Sequence, residues 1–257
     1  MASFKDHFSP LADIYAASRP SYPDALYRLI AEVVAQPAGA KVWEPGCGSG
    51  QATRGLAAHF GHVHATDPSA AQIERHWALR EKSERVDVAV ELAEAPSLAD
   101  ASIDLIAVAQ ALHWFDRPRF FAACERVLKP GGILAAWTYQ DIVFSDDLAD
   151  EAEAVRDDID PYWPAERNDV DVGYTGYDWP FEVLPTPDDL WMHADWTLPQ
   201  LLGYFSSLSA SACFHAATGR DPIELHGKAL TAAWGDAGQV RRMRWPVVLH
   251  LRRKPAA

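Results

Sequence analysis

Apolar positions recur at two different spacings along this chain, and the spacing switches back and forth at short intervals. Residues 24–35, DALYRLIAEVVA, place them at helical intervals and end in QPAGA, a proline–glycine stop. KVWE (41–44) reads as a short β run, QATRGLAAHF (51–60) as a helix ended by Gly61, and VHAT (63–66) as β again. SAAQIERHWALR (69–80) predicts one helix with Ser69 as its N-cap. RVDVAV (85–90) is β, and IDLIAVAQ (103–110) is nearly all apolar, as a strand buried on both faces should be. RPRFFAACERVL (117–128) is helical, KPGG turns the chain, and ILAAWT (133–138) is a further strand. This alternation predicts a doubly wound α/β fold: a mostly parallel sheet, right-handed crossovers and helices on both faces.

From Tyr139 the rhythm changes. Acids, prolines and aromatics dominate up to Thr197, with one helical stretch, DDLADEAEAVRDDI (146–159). We read residues 10–140 as the ligand-binding core, 141–197 as an insertion covering the sheet edge or the ligand mouth, and 198–257 as closing elements of one domain spanning 1–257. In that last part LPQLLGYFSSLSASACF (198–214) and DPIELHGKALTAAW (221–234) predict helices, and RRMRWPVVLHLRRK (241–254) a strand. The 257 residues, 49% of them hydrophobic, suffice to bury one full core.

Charge narrows the partners. The net charge is −13, and between Asp141 and Asp195 there are 17 Asp/Glu against two Arg and no Lys. Affinity for nucleic acid rests on Lys and Arg neutralising phosphates, so a nucleic-acid substrate is disfavoured. The three cysteines lack paired spacing, which predicts a reducing cytoplasmic setting without disulfides or a zinc site. No apolar run reaches the roughly 18 residues a membrane span needs, and no secretion signal is apparent.

Candidate chemistry begins at VWEPGCGSGQ (42–51), where Gly46, Gly48 and Gly50 lie between a strand and a helix. Such a loop lets backbone N–H groups and a helix N-terminus approach a ligand with no Cβ in the way. A phosphate-binding P-loop needs Gly-Lys-Ser/Thr, which is absent, and the dinucleotide pattern needs glycine where the chain has Gln51. Glu44 beside the loop suits a ligand that carries positive charge; S-adenosylmethionine, with an ammonium, a sulfonium and no phosphate, is such a molecule. A tight turn beside a paired acid would read the same way. Asp67, 17 residues past Gly50 at the end of the next β run, is placed either to accept from ribose hydroxyls or to serve the start of the following helix.

With these motifs the chain resembles class I S-adenosylmethionine-dependent methyltransferases over residues 10–140: VWEPGCGSGQ matches the first motif, ATDPS the ribose motif, and RVLKPGGIL the strand after the catalytic region. AQALHWFD (109–116) and YAASRPSYP (15–23) resemble the small-molecule branch that includes trans-aconitate methyltransferase-like proteins. The resemblance implies that Gly46, Cys47, Gly48 and Gly50 line the methionine end of the cofactor, Asp67 and Pro68 the ribose, and Ala93 and Glu94 the adenine. It further implies Gln110 and Ala111 near the methionine portion, His113 and Trp114 facing the methyl, and Tyr15 and Arg19 closing over the cofactor, Arg19 toward its carboxylate. Related sequences often carry Asp before the Ala-Glu pair; here the residue is Leu92.

Methyl transfer from a sulfonium needs alignment and exclusion of water more than activation. A carboxylate acceptor needs no base, whereas an ammonium or phenol must first lose a proton. His113 is the candidate base, or else it packs the pocket floor with Trp114. Trp163, Trp179, Trp191 and Trp196 among so many acids suit a cationic substrate or simply pack the segment; Arg220, Arg241, Arg242 and Arg244 would suit an anion. The expected function is methyl transfer to a small molecule at a carboxylate oxygen or amine nitrogen. The alternatives are a nucleic-acid methyltransferase, whose Asn/Asp-Pro-Pro-Tyr/Phe motif is missing here, and a non-catalytic protein that binds the cofactor.

Overall fold

A computed structural model describes residues 20–256. Five parallel strands form the body of the sheet: β1 (Lys41–Pro45), β2 (His62–Asp67), β3 (Val86–Val90), β4 (Ile103–Ala109) and β5 (Leu128–Tyr139). They are ordered β3-β2-β1-β4-β5, followed by antiparallel β8 (Arg241–Arg253) and the short edge strand β6 (Glu182–Leu184). Strand order reverses between β1 and β4, and in open α/β sheets ligands bind at the carboxyl ends of strands flanking such a reversal.

The period-two side-chain alternation of strands sends neighbours to opposite faces, and each face has its own core. Val42, Leu105, Ala107, Ile133 and Ala135 pack with Leu26 and Ile30 of α1 (Asp24–Val33) and Leu56 of α2 (Gln51–His59). On the other face Trp43, Ile106, Val108, Leu134 and Ala136 meet Phe120, Cys124 and Val127 of α5 (Arg117–Val127). Phe120 is fully buried between Trp43 (6.0 Å) and Phe115 (4.9 Å), a position where truncation to alanine costs about 3–5 kcal/mol. Helices on both faces of a mostly parallel sheet make this the doubly wound, Rossmann-like arrangement that the sequence pattern predicts.

Three local differences from the sequence reading have clear causes. Residues 69–80 form two helices, α3 (Ala70–Arg75) and α4 (Trp77–Glu81), because His76 leaves helical geometry (ψ 130°) and its ring Nδ1 accepts from the Ala78 N–H, capping the second helix. Residues 198–214 likewise break into α8 (Leu198–Ser206) and α9 (Ser209–Thr218); the Ser207 N–H closes α8 and its hydroxyl turns back to the Tyr204 carbonyl. β5 starts before the KPGG turn, which is absorbed as a bulge that shifts the register against β4.

After β5 come α6 (Asp146–Ile159), the short α7 (Arg167–Asp171), β6 and β7 (Trp191–Trp196), then α8, α9 and α10 (Pro222–Trp234). β8 is long enough to serve three partners, with β6 paired to its end at Leu251–Arg253. Its second half, Val247–Arg253, pairs with β5, while Arg241–Pro246 continues past the carboxyl end of β5 and pairs with β7. Val143 bridges Arg244 there, so the acidic stretch is tied to the carboxyl edge, where the glycine loop also lies.

Candidate functional site

The glycine loop leaves β1 with the Cys47 N–H bonded to the Thr66 carbonyl (3.0 Å), and Gly46, Gly48 and Gly50 all have positive φ. They are glycines for different reasons. A Cβ on Gly46 would lie 2.7 Å from the Cβ of Ala111, and one on Gly50 would lie 2.3 Å from the Trp77 ring and 2.7 Å from His76. Those two positions are closed by the protein's own packing. Among the described residues a Cβ on Gly48 would meet nothing nearer than the Gln51 side chain at 3.9 Å, so of the three this glycine alone is not closed in by them.

Asp67 ties the loop to the end of β2. Its Oδ2 accepts from the Gly48 N–H and its Oδ1 from the Ser69 N–H, both at 2.9 Å. Ser69 in turn caps α3 by accepting from the Gln72 N–H, and Pro68 lies between the two. A carboxylate bonded to two backbone donors sets the loop's shape as well as its charge.

Behind the loop runs a directed hydrogen-bond chain. Because His76 Nδ1 accepts from a backbone N–H, its proton sits on Nε2, which donates to Thr53 Oγ1 at 2.9 Å. Thr53 then donates to Glu44 Oε2 at 2.5 Å. Glu44 is 1% exposed, and its other oxygen, Oε1, is buried with no hydrogen-bond partner among the described residues. Burial pushes the Glu44 carboxyl up to about 8, opposed by the Thr53 bond and reinforced by Asp67. Burial also lowers His76 to about 4, which keeps it neutral.

At the end of β4, Gln110 adopts left-handed backbone geometry (φ 53°) and turns its amide onto β5. Its Oε1 accepts from the Tyr139 N–H (2.8 Å) and the Thr138 hydroxyl (2.7 Å), while Nε2 donates to the Tyr139 carbonyl (3.3 Å). Ala111 is the residue against which Gly46 packs. His113 follows in a single 3-10 turn, nearly buried, with Nδ1 2.9 Å from Tyr174 Oη. Burial, with help from nearby Arg167 and against Asp169, lowers His113 to about 3. The Trp114 ring lies 4.8 Å from that of His113 and is 36% exposed.

Of the residues expected at the adenine, Ala93 is buried and Glu94 accepts from the Asp116 N–H (2.8 Å), bracing the turn that carries His113. Leu92, where related sequences often have an acid, is 53% exposed. The β1–β4 reversal brings Glu44, the glycine loop and Ala111 together, with Asp67 reaching in from β2 and His113 following directly after β4. Tyr15 and Arg19 lie outside the described residues.

Thr53, His76, Thr138 and Tyr174 were not picked out by the sequence reading. Thr53 had a readable signal, a polar residue on the apolar face of its helix with Leu56 and Ala57. Tyr174 had none, because the turn that holds it (φ 59°) has no periodicity to read.

The tryptophans of the acidic stretch are already engaged. Arg167 lies over Trp163, Arg252 over Trp179 and Arg244 over Trp191, at 4.7, 5.0 and 4.9 Å from the ring centroids, while Trp196 packs edge-on against Trp245 at 5.0 Å. Arg241 pairs with Asp147 and Arg242 with Asp195. These side chains hold the segment to itself and to β8.

A doubly wound sheet whose glycine loop and acids meet at the strand-order reversal has the arrangement at which open α/β proteins bind ligands. Comparison with known proteins narrows this. Residues 43–136 match the model of a methyltransferase domain. The chain is 32% identical over 226 residues to a candidate methyltransferase of Dictyostelium discoideum, covering 86% of this chain and 83% of that one. It also superposes on the structure of a candidate type II methyltransferase of Anaeromyxobacter dehalogenans, with a TM-score of 0.84, 37% identity and coverage of 93% and 99% of the two chains. A phosphoethanolamine N-methyltransferase of Haemonchus contortus, solved with phosphomonomethylethanolamine and S-adenosylhomocysteine, shares the fold alone: TM-score 0.51, 17% identity, 99% of this chain and 61% of that one. The chain belongs to the class I S-adenosylmethionine-dependent methyltransferases.

Proposed function

We propose that the protein binds S-adenosylmethionine at the glycine loop and transfers its methyl group to a small-molecule acceptor. The observation that carries this reading is Glu44 Oε1, a buried acceptor with no partner among the described residues, on the strand that leads into the glycine loop. A buried polar atom left unpaired is costly, and a cationic donor arriving in the cradle removes that cost. The residues therefore fit an ammonium-bearing nucleoside and disfavour a pyrophosphate.

In this reading Glu44, Cys47 and Gly48 hold the methionine end, with Gly46 and Gly50 shaping the loop from behind. Asp67 and Pro68 serve the ribose, and Ala93, Glu94 and the exposed face of Leu92 serve the adenine. Gln110 and Ala111 line the methionine portion, His113 and Trp114 face the methyl, and Tyr15 and Arg19 belong to the segment that closes over it. S-adenosylmethionine supplies a methyl already activated on a sulfonium. The chain's own residues then have to align the acceptor and exclude water, for which orientation contributes up to about 7–11 kcal/mol in favourable cases. The stretch 141–197 acts as a cap on the mouth, supported by the extension of β8 past β5. The net charge of −13 and the acidic cap favour a small acceptor over a nucleic acid. The likeness of AQALHWFD to the trans-aconitate branch favours an acceptor of metabolite size, with a carboxylate oxygen or an amine nitrogen as the receiving atom.

Calorimetric titration with S-adenosylhomocysteine, followed by a radiolabel transfer screen over small acids and amines, tests the reading. Binding together with transfer is expected. Binding without transfer to any acceptor would instead favour a non-catalytic binding protein, and absence of binding would end the proposal.

A further inference from the structure

We propose that His76 and Thr53 are positioning residues for the cofactor: through a one-way hydrogen-bond chain they hold Oε2 of Glu44, so that Oε1 is the oxygen left for the ligand's ammonium. This rests on the reading above and deepens it, since it says which distant side chains aim the acid at its ligand.

The direction of each bond follows from a backbone donor. The Ala78 N–H can only donate, so His76 Nδ1, 3.2 Å away, accepts and carries no proton. The ring proton is therefore on Nε2, and Thr53 Oγ1 at 2.9 Å receives it. Among the described residues Oγ1 has one further partner, Glu44 Oε2 at 2.5 Å, and the single proton of the hydroxyl goes there. Oε2 is thus occupied whether the carboxyl is ionised or not, and a proton held by the neutral acid belongs on Oε1. All three side chains belong to residues at most 1% exposed, which removes solvent as a competitor for these bonds.

The fold gives up regularity at two points to admit this chain. Residues 69–80 would run as one helix by spacing, yet the backbone leaves helical geometry at His76 (ψ 130°), and the break packs its ring against the glycine loop. There a Cβ on Gly50 would lie 2.7 Å from His76 Nε2, so the last glycine of the loop is what admits the imidazole. The Trp77 N–H bonds to the Ser49 carbonyl, fastening the break to the loop. Glu44 on β1 and Thr53 on α2 flank that loop in sequence. An acid held on one oxygen by a fixed donor has lost its freedom to rotate, and it binds a cation without first being ordered. In the proposed complex neither His76 nor Thr53 touches the ligand; both act through Glu44.

His76→Asn separates the two tasks of the ring: an asparagine oxygen still caps the Ala78 N–H, but the side chain is too short to reach Thr53. Calorimetric titration compares S-adenosylhomocysteine with its desamino analogue, which keeps the nucleoside, the thioether and the carboxylate and lacks the ammonium. The wild type should prefer the parent compound. His76→Asn and Thr53→Val should weaken the parent by about 10-fold and leave the desamino analogue within twofold, and Thr53→Ser should restore wild-type binding. A loosened loop would instead weaken both ligands alike. Nitrogen–proton correlation spectra of protein labelled with nitrogen-15 in histidine should show His76, assigned by its loss in His76→Asn, with its proton on Nε2. Equal weakening of both ligands, unchanged binding of the parent in both variants, no preference in the wild type, or a His76 proton on Nδ1 would overturn the proposal. Failure of the cofactor reading would appear separately, as absence of binding of either ligand to the wild type.

Discussion

Replacing Glu44 with glutamine should make the protein more resistant to unfolding as pH rises, although the residue lies in the site proposed for the ligand. The carboxyl is 1% exposed, and burial raises it from 4.5 to about 8. A raised carboxyl contributes its stability fully below the unfolded value of 4.5 and loses it as pH rises through about 8, because the unfolded chain ionises first. Each unit corresponds to about 1.4 kcal/mol, so the wild type should lose about 3 kcal/mol from this group between pH 5 and 8. Glutamine keeps an acceptor for the Thr53 hydroxyl but buries an amide N–H in place of the orphaned oxygen, a pH-independent cost of about 1–3 kcal/mol. The decisive quantity is therefore the change with pH of the stability difference between the two proteins, measured by urea unfolding at pH 5, 6, 7 and 8 without ligand. A difference that stays flat would refute the reasoning, because it would mean that Glu44 ionises alike in the folded and unfolded chains. Binding of S-adenosylhomocysteine should release a proton near pH 7 in the wild type and not in Glu44→Gln, as read by calorimetry in two buffers of different ionisation enthalpy.

Gly48→Ala should fold with a loss of about 1–2 kcal/mol from its left-handed backbone and fail to bind S-adenosylhomocysteine, because its Cβ enters the open cradle. Gly50→Ala should instead cost on the order of 3 kcal/mol in chemical denaturation, since its Cβ would overlap Trp77 and His76. Thr53→Val preserves shape but strands the His76 Nε2–H and deprives Glu44 of its donor; a loss of about 2–3 kcal/mol is expected, and none would remove the chain from the account. His76 and His113, lowered to about 4 and about 3, contribute stability above 6.5 that is lost as pH falls toward those values; His113→Gln should flatten the acid limb of the unfolding curve. His113→Ala should lose methyl transfer while calorimetry still detects S-adenosylhomocysteine.

Much of the sheet was legible because buried parallel strands and amphipathic helices leave strong periodic signals; α6 spans Asp146–Ile159, the stretch read as helical from its apolar spacing. Where one side chain overrode periodicity the reading missed, as at His76, whose ring caps Ala78 and splits a run that is helical on spacing alone. β6 and β7 were invisible for a different reason: they are short strands stabilised by pairing with distant β8, and nothing local specifies them. The glycine loop between β1 and α2, with Glu44 before it and Asp67 at the end of β2, was readable from spacing. Which glycines are closed in by Ala111, Trp77 and His76 was not, because that depends on what the fold brings behind the loop. Tyr174 reaches His113 across 61 residues, a separation that no local pattern encodes.

β8 belongs to the central sheet over Val247–Arg253 and to the pairing with β7 over Arg241–Pro246. One continuous backbone is thus both a strand of the central sheet and the strand that β7 pairs with. Sliding this strand by one residue would turn every inward side chain of its central-sheet half outward. Divergence among relatives should therefore accumulate in the loops and helices around β8, with the register of β8 itself inherited unchanged.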